Sequence, residues 1–116
     1  MTSQTNLEEN LLTYCRWDDN KNIKKVLHND ITINLTENVF MLAASHENSM
    51  ILSELLKYYN DKLLYNEESL HRIMKILVSI EKQYDDDGVM NAVNYSWKNH
   101  IGPYLIEKEL TKLNIS

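Results

Sequence analysis

Among the residue types that can do nucleophilic or metal chemistry, histidine, cysteine and a short run of aspartates come closest to a recognisable motif in this sequence. The four histidines lie far apart in the sequence. None stands in an HExxH motif, where a four-residue spacing places two zinc ligands on one helix face. His46 and Glu47 are interpreted as a solvated turn pair. The histidines therefore predict no metal site; they are His28, His46, His71 and His100.

Cys15 is the only cysteine. An internal disulfide and a cysteine-rich zinc site are therefore excluded. Apart from the adjacent Arg16, no basic group is placed by sequence to stabilise a thiolate, which is the reactive form. A small thiol packed in the core is the preferred interpretation.

The segment DDDG, residues 85–88, is the closest approach to a cation-binding loop. It lacks the alternating D-x-D-x-D spacing of a calcium loop, and Ser96 stands where a glutamate would close it. A solvated turn that caps the next helix is predicted instead. The phosphate-binding and nucleophile-elbow glycine motifs are missing from the sequence. No enzyme activity, metal or cofactor is predicted.

Composition indicates a helical protein with an acidic surface. Two glycines and one proline in 116 residues disfavour a turn-rich β protein. The formal net charge of −5 disfavours binding to nucleic acid or to anionic lipid. Neither a signal peptide nor an apolar run of about 18 residues is found, so a cytoplasmic location without membrane contact is expected, and non-classical export stays open as the alternative.

Apolar residues at helical spacing, together with capping residues, predict seven helices in a single domain. Thr5 with Glu8 is interpreted as a capping box, and Thr36, Asn48 and Asn66 as caps of later helices. Gly102 is predicted to stop the sixth helix, and Pro103 to begin the seventh. The predicted ranges are approximately 7–16, 20–28, 37–45, 49–59, 67–82, 89–98 and 103–113.

Two helix pairs show an internal repeat at a constant shift of 29 residues. The repeat aligns residues 11–27, LLTYCRWDDNKNIKKVL, with residues 40–56, FMLAASHENSMILSELL. The alignment places Cys15 on Ala44. Each unit has an inner helix ending in small residues, a polar turn and an outer helix ending in a Leu-type pair. Stacking of such units buries faces that one pair would leave in water.

These residues resemble the ankyrin repeat family. NVFMLAA, residues 38–44, is similar to the family's T-P-L-H-x-A-A inner helix; TIN, residues 32–34, is similar to its D-V-N; and ESLH, residues 68–71, is similar to the start of another inner helix. Asp18 and Glu47 replace the turn glycines, the T-P pair is missing, and the link is about four residues short. The resemblance spans about residues 7–80.

The resemblance implies an all-α fold of stacked helix-turn-helix repeats with shortened hairpins. Its units would be 7–34 and 35–65, followed by a divergent helical unit and cap, 66–113, all within one domain, 1–116. His71 would make a structural hydrogen bond. An unrelated helical bundle is the alternative fold.

The function implied by the resemblance is non-catalytic binding of another protein through the inner helices and turns. The candidate contacts are Arg16, Trp17, Ser45, His46, His71 and Lys75. Three alternatives stay open: an acidic inhibitor, immunity or anti-defence protein that blocks one target, an enzyme of unfamiliar type, and self-association into a homo-oligomer. The carboxylates that would serve the inhibitor are Glu67, Glu68, Asp85, Asp86 and Asp87.

Overall fold

A computed structural model describes the backbone of residues 3–115 and the side chains of residues 3–112. The predicted all-α class is confirmed, because residues 3–115 contain helices and links but no strand. The segment ITIN, residues 31–34, is predicted from the sequence as a short extended link, and residues 32–36 run between two helices without pairing into a sheet.

Residues 3–115 contain seven α-helices and two five-residue π-helical segments. One π segment, Tyr59–Leu63, extends α4, and the other, Trp97–Ile101, joins α6 to α7. The α-helices are α1 (Gln4–Arg16), α2 (Asn20–Leu27), α3 (Glu37–Ser45), α4 (Ser49–Tyr58), α5 (Glu67–Gln83), α6 (Asp87–Ser96) and α7 (Gly102–Ile115).

The prediction that Gly102 stops the sixth helix is wrong. Gly102 has right-handed helical dihedrals, φ −56° and ψ −52°, and helix continues through it. Its N–H donates to the Trp97 carbonyl, which is the longer spacing of a π-turn. Pro103 then stands in the first turn of α7, where a missing N–H is tolerated.

Side-chain caps set several helix starts where the sequence predicted them. Asn48 Oδ1 accepts from Ile51 N at 3.2 Å, and Asn66 Oδ1 accepts from Ser69 N at 2.8 Å. Asp86 Oδ2 accepts from Val89 N at 3.1 Å, so the DDDG segment does cap the next helix. Each such cap satisfies an amide that the helix cannot pair internally.

Two predicted caps differ in the structure. The N-cap of α1 is Ser3 rather than Thr5, and its hydroxyl accepts from Asn6 N at 3.2 Å. Glu8 bonds elsewhere, because its Oε1 accepts from Asn34 N at 2.9 Å and ties α1 to the extended link. Thr36 occupies the N-cap of α3 but makes no side-chain cap bond.

The helices pack as three consecutive pairs, α1–α2, α3–α4 and α5–α6. The first helices of successive pairs touch, α1 on α3 and α3 on α5, as do the second helices, α2 on α4 and α4 on α6. The resulting slab measures 49 × 38 × 18 Å. Its short dimension matches roughly two helix diameters.

The two small residues that the repeat alignment pairs both lie in the core. Cys15 and Ala44, 29 residues apart, are 1% and 0% exposed. Around them lies an apolar core in which Leu11, Phe40 and Leu52 are fully buried. Burial of this apolar surface is the main favourable contribution to folding.

The turns α1–α2 and α3–α4 have the same backbone conformation 29 residues apart. Asp18 and Glu47 both have φ 55°, in the left-handed region where glycine is preferred. In each turn the next amide donates back five residues to a helix carbonyl, Asp19 N to Tyr14 O and Asn48 N to Ala43 O. This is the long hydrogen bond of a Schellman ending.

Replacing Glu47 with glycine should raise the free energy of unfolding by about 0.5–1 kcal/mol, because glycine adopts the left-handed conformation without strain. Ser53→Gly is the matched control: Ser53 is exposed inside α4, where glycine lowers helix stability by about 0.5 kcal/mol. Urea unfolding of both variants measures the change in the free energy of unfolding, which should be positive for Glu47→Gly and negative for Ser53→Gly. A destabilised Glu47→Gly protein would mean that residue 47 is not left-handed in solution.

Candidate functional site

Three turns lie along one edge of the slab and form the candidate site, called here the turn edge: residues 16–19, 45–48 and 83–87. Each turn follows the first helix of a pair and precedes the second. The amino termini of α2, α4 and α6 therefore share this edge.

Hydrogen bonds between side chains join the first turn to the second. Asn48 Nδ2 donates to Asp18 Oδ1 and to Asn20 Oδ1, each at 2.7 Å. His46 Nε2 lies 2.9 Å from Arg16 O and donates to it as the Nε2–H tautomer. These bonds hold the two turns at a fixed separation.

The third turn adjoins the second at the starts of α4 and α6. A Cβ added to Gly88 would lie 3.2 Å from the Ser49 side chain, so the two helix starts are in close contact. The same added atom would lie 3.1 Å from Asp86 Oδ2. The lack of a side chain at residue 88 thus lets the third turn reach the second.

A groove of about 310 Å³ opens where the first helices of the three pairs end. Tyr84, at the end of α5, forms one wall, and half-buried side chains of α1 and α3 form the floor. The groove is open and mixed in polarity, which suits a partner side chain more than an enclosed small molecule. It is lined by Leu12, Arg16, Asn38, Met41, Leu42, Ser45 and Tyr84.

Four of the six predicted contact residues lie together at the turn edge, and all four are exposed. Arg16 and Ser45 line the groove. Trp17 is 71% exposed, although a large aromatic side chain normally gains from burial. His46 is next to the first turn through its bond to Arg16.

The other two predicted residues lie elsewhere on α5. His71 borders a depression between the start of α5 and α7, with Leu105 and Lys108 among its neighbours. Lys75 is exposed and lines neither that depression nor the groove. The structure does not bring His71 or Lys75 to the turn edge.

Of the seven residues that line the groove, only Arg16 and Ser45 were predicted as contacts, and Tyr84 is the one that the third helix pair contributes. α5 has 17 residues whereas α3 has 9, so the third turn comes later than a 29-residue shift would place it. All three first helices nevertheless end at the same edge. The segment QYDDDG, which breaks the helical pattern at residues 83–88, was the sequence signal that could have identified Tyr84.

Carboxylates concentrate at the turn edge, but not in the set that the sequence suggested. Glu67 and Glu68 begin α5, and its 17 residues place them about 25 Å from Asp85–Asp87. The turn-edge carboxylates are Asp18, Asp19, Glu47, Asp85, Asp86 and Asp87.

The two glutamates at the start of α5 have local partners. Glu67 Oε1 is 3.1 Å from Lys108 Nζ, and this hydrogen bond lowers the pKa of Glu67. Glu68 Oε1 is 3.3 Å from Arg72. These exposed pairs contribute little to stability, because water screens them.

Nucleophilic chemistry has no support from Cys15. The thiol is 1% exposed, and burial, followed by the charge of Asp18, raises its pKa to about 12. At neutral pH the thiol is therefore protonated and shielded. Within residues 3–112, no three His, Cys, Asp or Glu side chains are grouped to hold a metal ion.

Cys15 should resist alkylation in the folded protein. Iodoacetamide at pH 8 is expected to modify it at least 100-fold more slowly than in urea, because only the thiolate attacks. Intact-mass spectrometry over time measures both rates. Rapid modification of the folded chain would contradict the buried position of the thiol.

In the described part of the chain, no helix is both long and apolar enough to cross a bilayer. Comparison with known proteins finds no matching family model, curated protein or solved structure.

Proposed function

We propose that this protein is a non-catalytic interaction module that binds another protein through its turn edge. The observation that carries the proposal is Trp17, 71% exposed on a turn held by hydrogen bonds, beside an open groove. Exposed Trp and Tyr on a rigid frame are frequent energetic centres of protein interfaces. Rigidity also reduces the entropy lost on binding.

A degenerate ankyrin-like stack is the proposed architecture. The two turns that share φ 55° and the same hydrogen bonds at a 29-residue shift support it, as do the contacts between successive helix pairs. The long α5 and the continuous α6–α7 helix make up the proposed divergent cap. We propose a cytoplasmic location and no role for nucleic acid, membrane, metal or cofactor.

The partner is expected to present basic side chains around an apolar or aromatic contact. The turn-edge carboxylates outnumber its cations, so a basic surface is attracted to it and an acidic one is repelled. The amino termini of α2, α4 and α6 carry the positive ends of the helix dipoles, which partly offset the negative charge of these carboxylates. Charge thus sets the approach of the partner, and Trp17 with the groove provides short-range contact.

Trp17→Ala should weaken partner binding at least tenfold while leaving the fold intact. The test is capture from a lysate of the cells that make the protein, followed by affinity measurement on the captured partner. Tyr65→Ala is the matched control, because Tyr65 is 73% exposed but lies in the link before α5. Equal losses in both variants, or a loss only with Tyr65→Ala, would refute the turn edge.

A small acidic inhibitor is the second candidate function, favoured by the grouping of Asp18, Glu47 and Asp85–Asp87 at one edge. An inhibitor that works by charge mimicry depends on long-range attraction, so its affinity should fall steeply with salt. Binding centred on Trp17 should survive 0.5 M NaCl. Affinity measured at low and high salt separates the two functions.

Self-association is the third proposal for the same module. Light scattering over a range of protein concentrations measures it directly. A monomer at all concentrations would exclude it.

A further inference from the structure

A second site lies on the outer helices, away from the turn edge. α4 and α6 run side by side in the same direction, since Ser49 meets Gly88 at their starts and Lys57 and His100 border one cleft near their ends. This cleft, called here the outer cleft, has a volume of about 220 Å³. It is lined by Ser53, Glu54, Leu56, Lys57, Ala92, Tyr95, Ser96 and His100.

The π-helical segment Trp97–Ile101, which follows α6, borders the outer cleft through His100, whereas the segment Tyr59–Leu63 begins two residues after Lys57, a lining residue of α4. π-turns cost stability relative to α-helix and are frequently found at functional sites. Here the second π-turn carries His100 into the wall of the cleft.

His100 contains an unsatisfied polar atom. Its Nδ1 is buried and has no protein hydrogen-bond partner, and no other buried side-chain nitrogen or oxygen in residues 3–112 is in this state. Burial lowers the pKa of His100, with an opposing effect of Asp61 and a supporting one of Lys57. The imidazole is therefore neutral at pH 7. An orphaned acceptor is tolerated better than an orphaned N–H, which favours a free lone pair on Nδ1.

The charged side chains around the cleft are also unpaired. Within residues 3–112 neither Glu54, Lys57 nor Asp61 takes part in an ion pair. Of these three, Glu54 and Lys57 line the cleft, and Asp61 lies outside the lining but acts on His100 through its charge. Together the two carboxylates and one ammonium give a net charge of about −1, since a neutral imidazole adds none. A carboxylate or phosphate ligand would meet more repulsion than attraction.

We propose that the outer cleft binds a guanidinium group, such as that of an arginine side chain. Glu54 accepts two of its N–H groups in the fork geometry that carboxylates share with guanidinium. His100 accepts a third after rotation about χ2, a soft torsion in histidine. The Tyr95 side chain is 61% exposed, and its ring lies edge-on to His100 with ring centroids 5.7 Å apart. The Tyr95 ring borders the bound cation. The exposed Lys57 side chain moves into water.

The test is an NMR titration of the full chain, followed at the ring protons of His100. N-acetyl-arginine amide should cause saturable shifts at millimolar concentrations. N-acetyl-citrulline amide, its neutral isostere, should cause none at the same concentrations. Free arginine distinguishes the two sources of the guanidinium group. If free arginine binds more tightly than the amide, the natural ligand is a small molecule. If it binds equally or more weakly, the natural ligand is an arginine side chain of a protein. Either result requires the guanidinium site to exist.

Glu54→Gln should weaken the arginine amide about tenfold or more, since the charge-assisted bonds are lost. Glu37→Gln, at the exposed start of α3, is the matched control and should not change the affinity. Equal shifts with citrulline, or no shift of His100 with either amide, would overturn the proposal. The citrulline comparison uses the unaltered protein, so it decides the matter even if Glu54→Gln does not fold. Because the outer cleft is separate from Trp17, a negative result for guanidinium binding would not contradict the proposal for the turn edge.

Discussion

Phe40→Ala should lower the free energy of unfolding by about 3–5 kcal/mol, the largest effect expected of a single substitution here. Phe40 is 0% exposed and packs edge-on against Tyr59, with ring centroids 6.2 Å apart. Tyr59 in turn donates its hydroxyl to Ser69 O at 2.7 Å. The phenyl ring thus links α3 to the end of α4 and the start of α5, and alanine leaves a cavity at their junction.

Urea unfolding followed by circular dichroism measures this loss. Since small domains have unfolding free energies of about 5–15 kcal/mol, the loss is a large fraction of the total and should move the urea midpoint clearly downward. Met50→Ala is the control, because Met50 is apolar but 57% exposed, and it should change stability by less than about 0.5 kcal/mol. Similar effects of the two substitutions would show that the described core is not the one that forms.

Asn48→Ala should lower the free energy of unfolding by about 2–3 kcal/mol, which is more than the loss of an ordinary capping residue lowers it. The Asn48 side chain caps α4 through Ile51 N and also bonds Asp18 and Asn20 across the gap between two turns. Alanine removes all three bonds. Thermal or urea unfolding gives the change in free energy.

The matched control is Asn66→Ala, which removes a cap from α5 without a bond to another turn. Its expected cost is about 1 kcal/mol. The difference between the two variants measures what the cross-turn bonds contribute. No difference would mean that the turns are not joined in solution, and the rigidity claimed for the turn edge would be lost.

Helix existence and most buried faces could be predicted from local patterns. Ile51, Leu52 and Leu55 recur at helical spacing after the Asn48 cap, and all three are buried. Such signals are local, because capping and amphipathic spacing depend on a few neighbouring residues. The start of α1 was misplaced because Ser3 and Thr5 are both competent caps, and Glu8 bonds to a distant amide that sequence spacing does not indicate.

The second half of the chain was harder to predict because its helices depart from the local rules. Gly102 and Pro103 are ordinary stop and start signals, yet the π-turn at Trp97–Ile101 carries the helix through them. The other π-turn, at Tyr59–Leu63, has no sequence signature either. In both places the packing of α4 against α6 accompanies the irregular backbone, and that contact is invisible to a local pattern.

The candidate site was predictable only where the repeat kept its register. Trp17 and His46 belong to turns 29 residues apart, so the alignment brought them together correctly. The same register pointed to Lys75, but the longer α5 delays the third turn and places Tyr84 at the groove. The 29-residue register assumes that the first helix of each pair has the same length. Since α5 is longer, the contact surface was only partly anticipated.

Amide hydrogen exchange with and without the captured partner tests the central claim most directly. Binding through the turn edge predicts added protection in residues 16–19, 45–48 and 83–87, with α7 and the link before α5 unchanged. Protection confined to α7 or to the outer helices, with the three turns unaffected, would contradict the account.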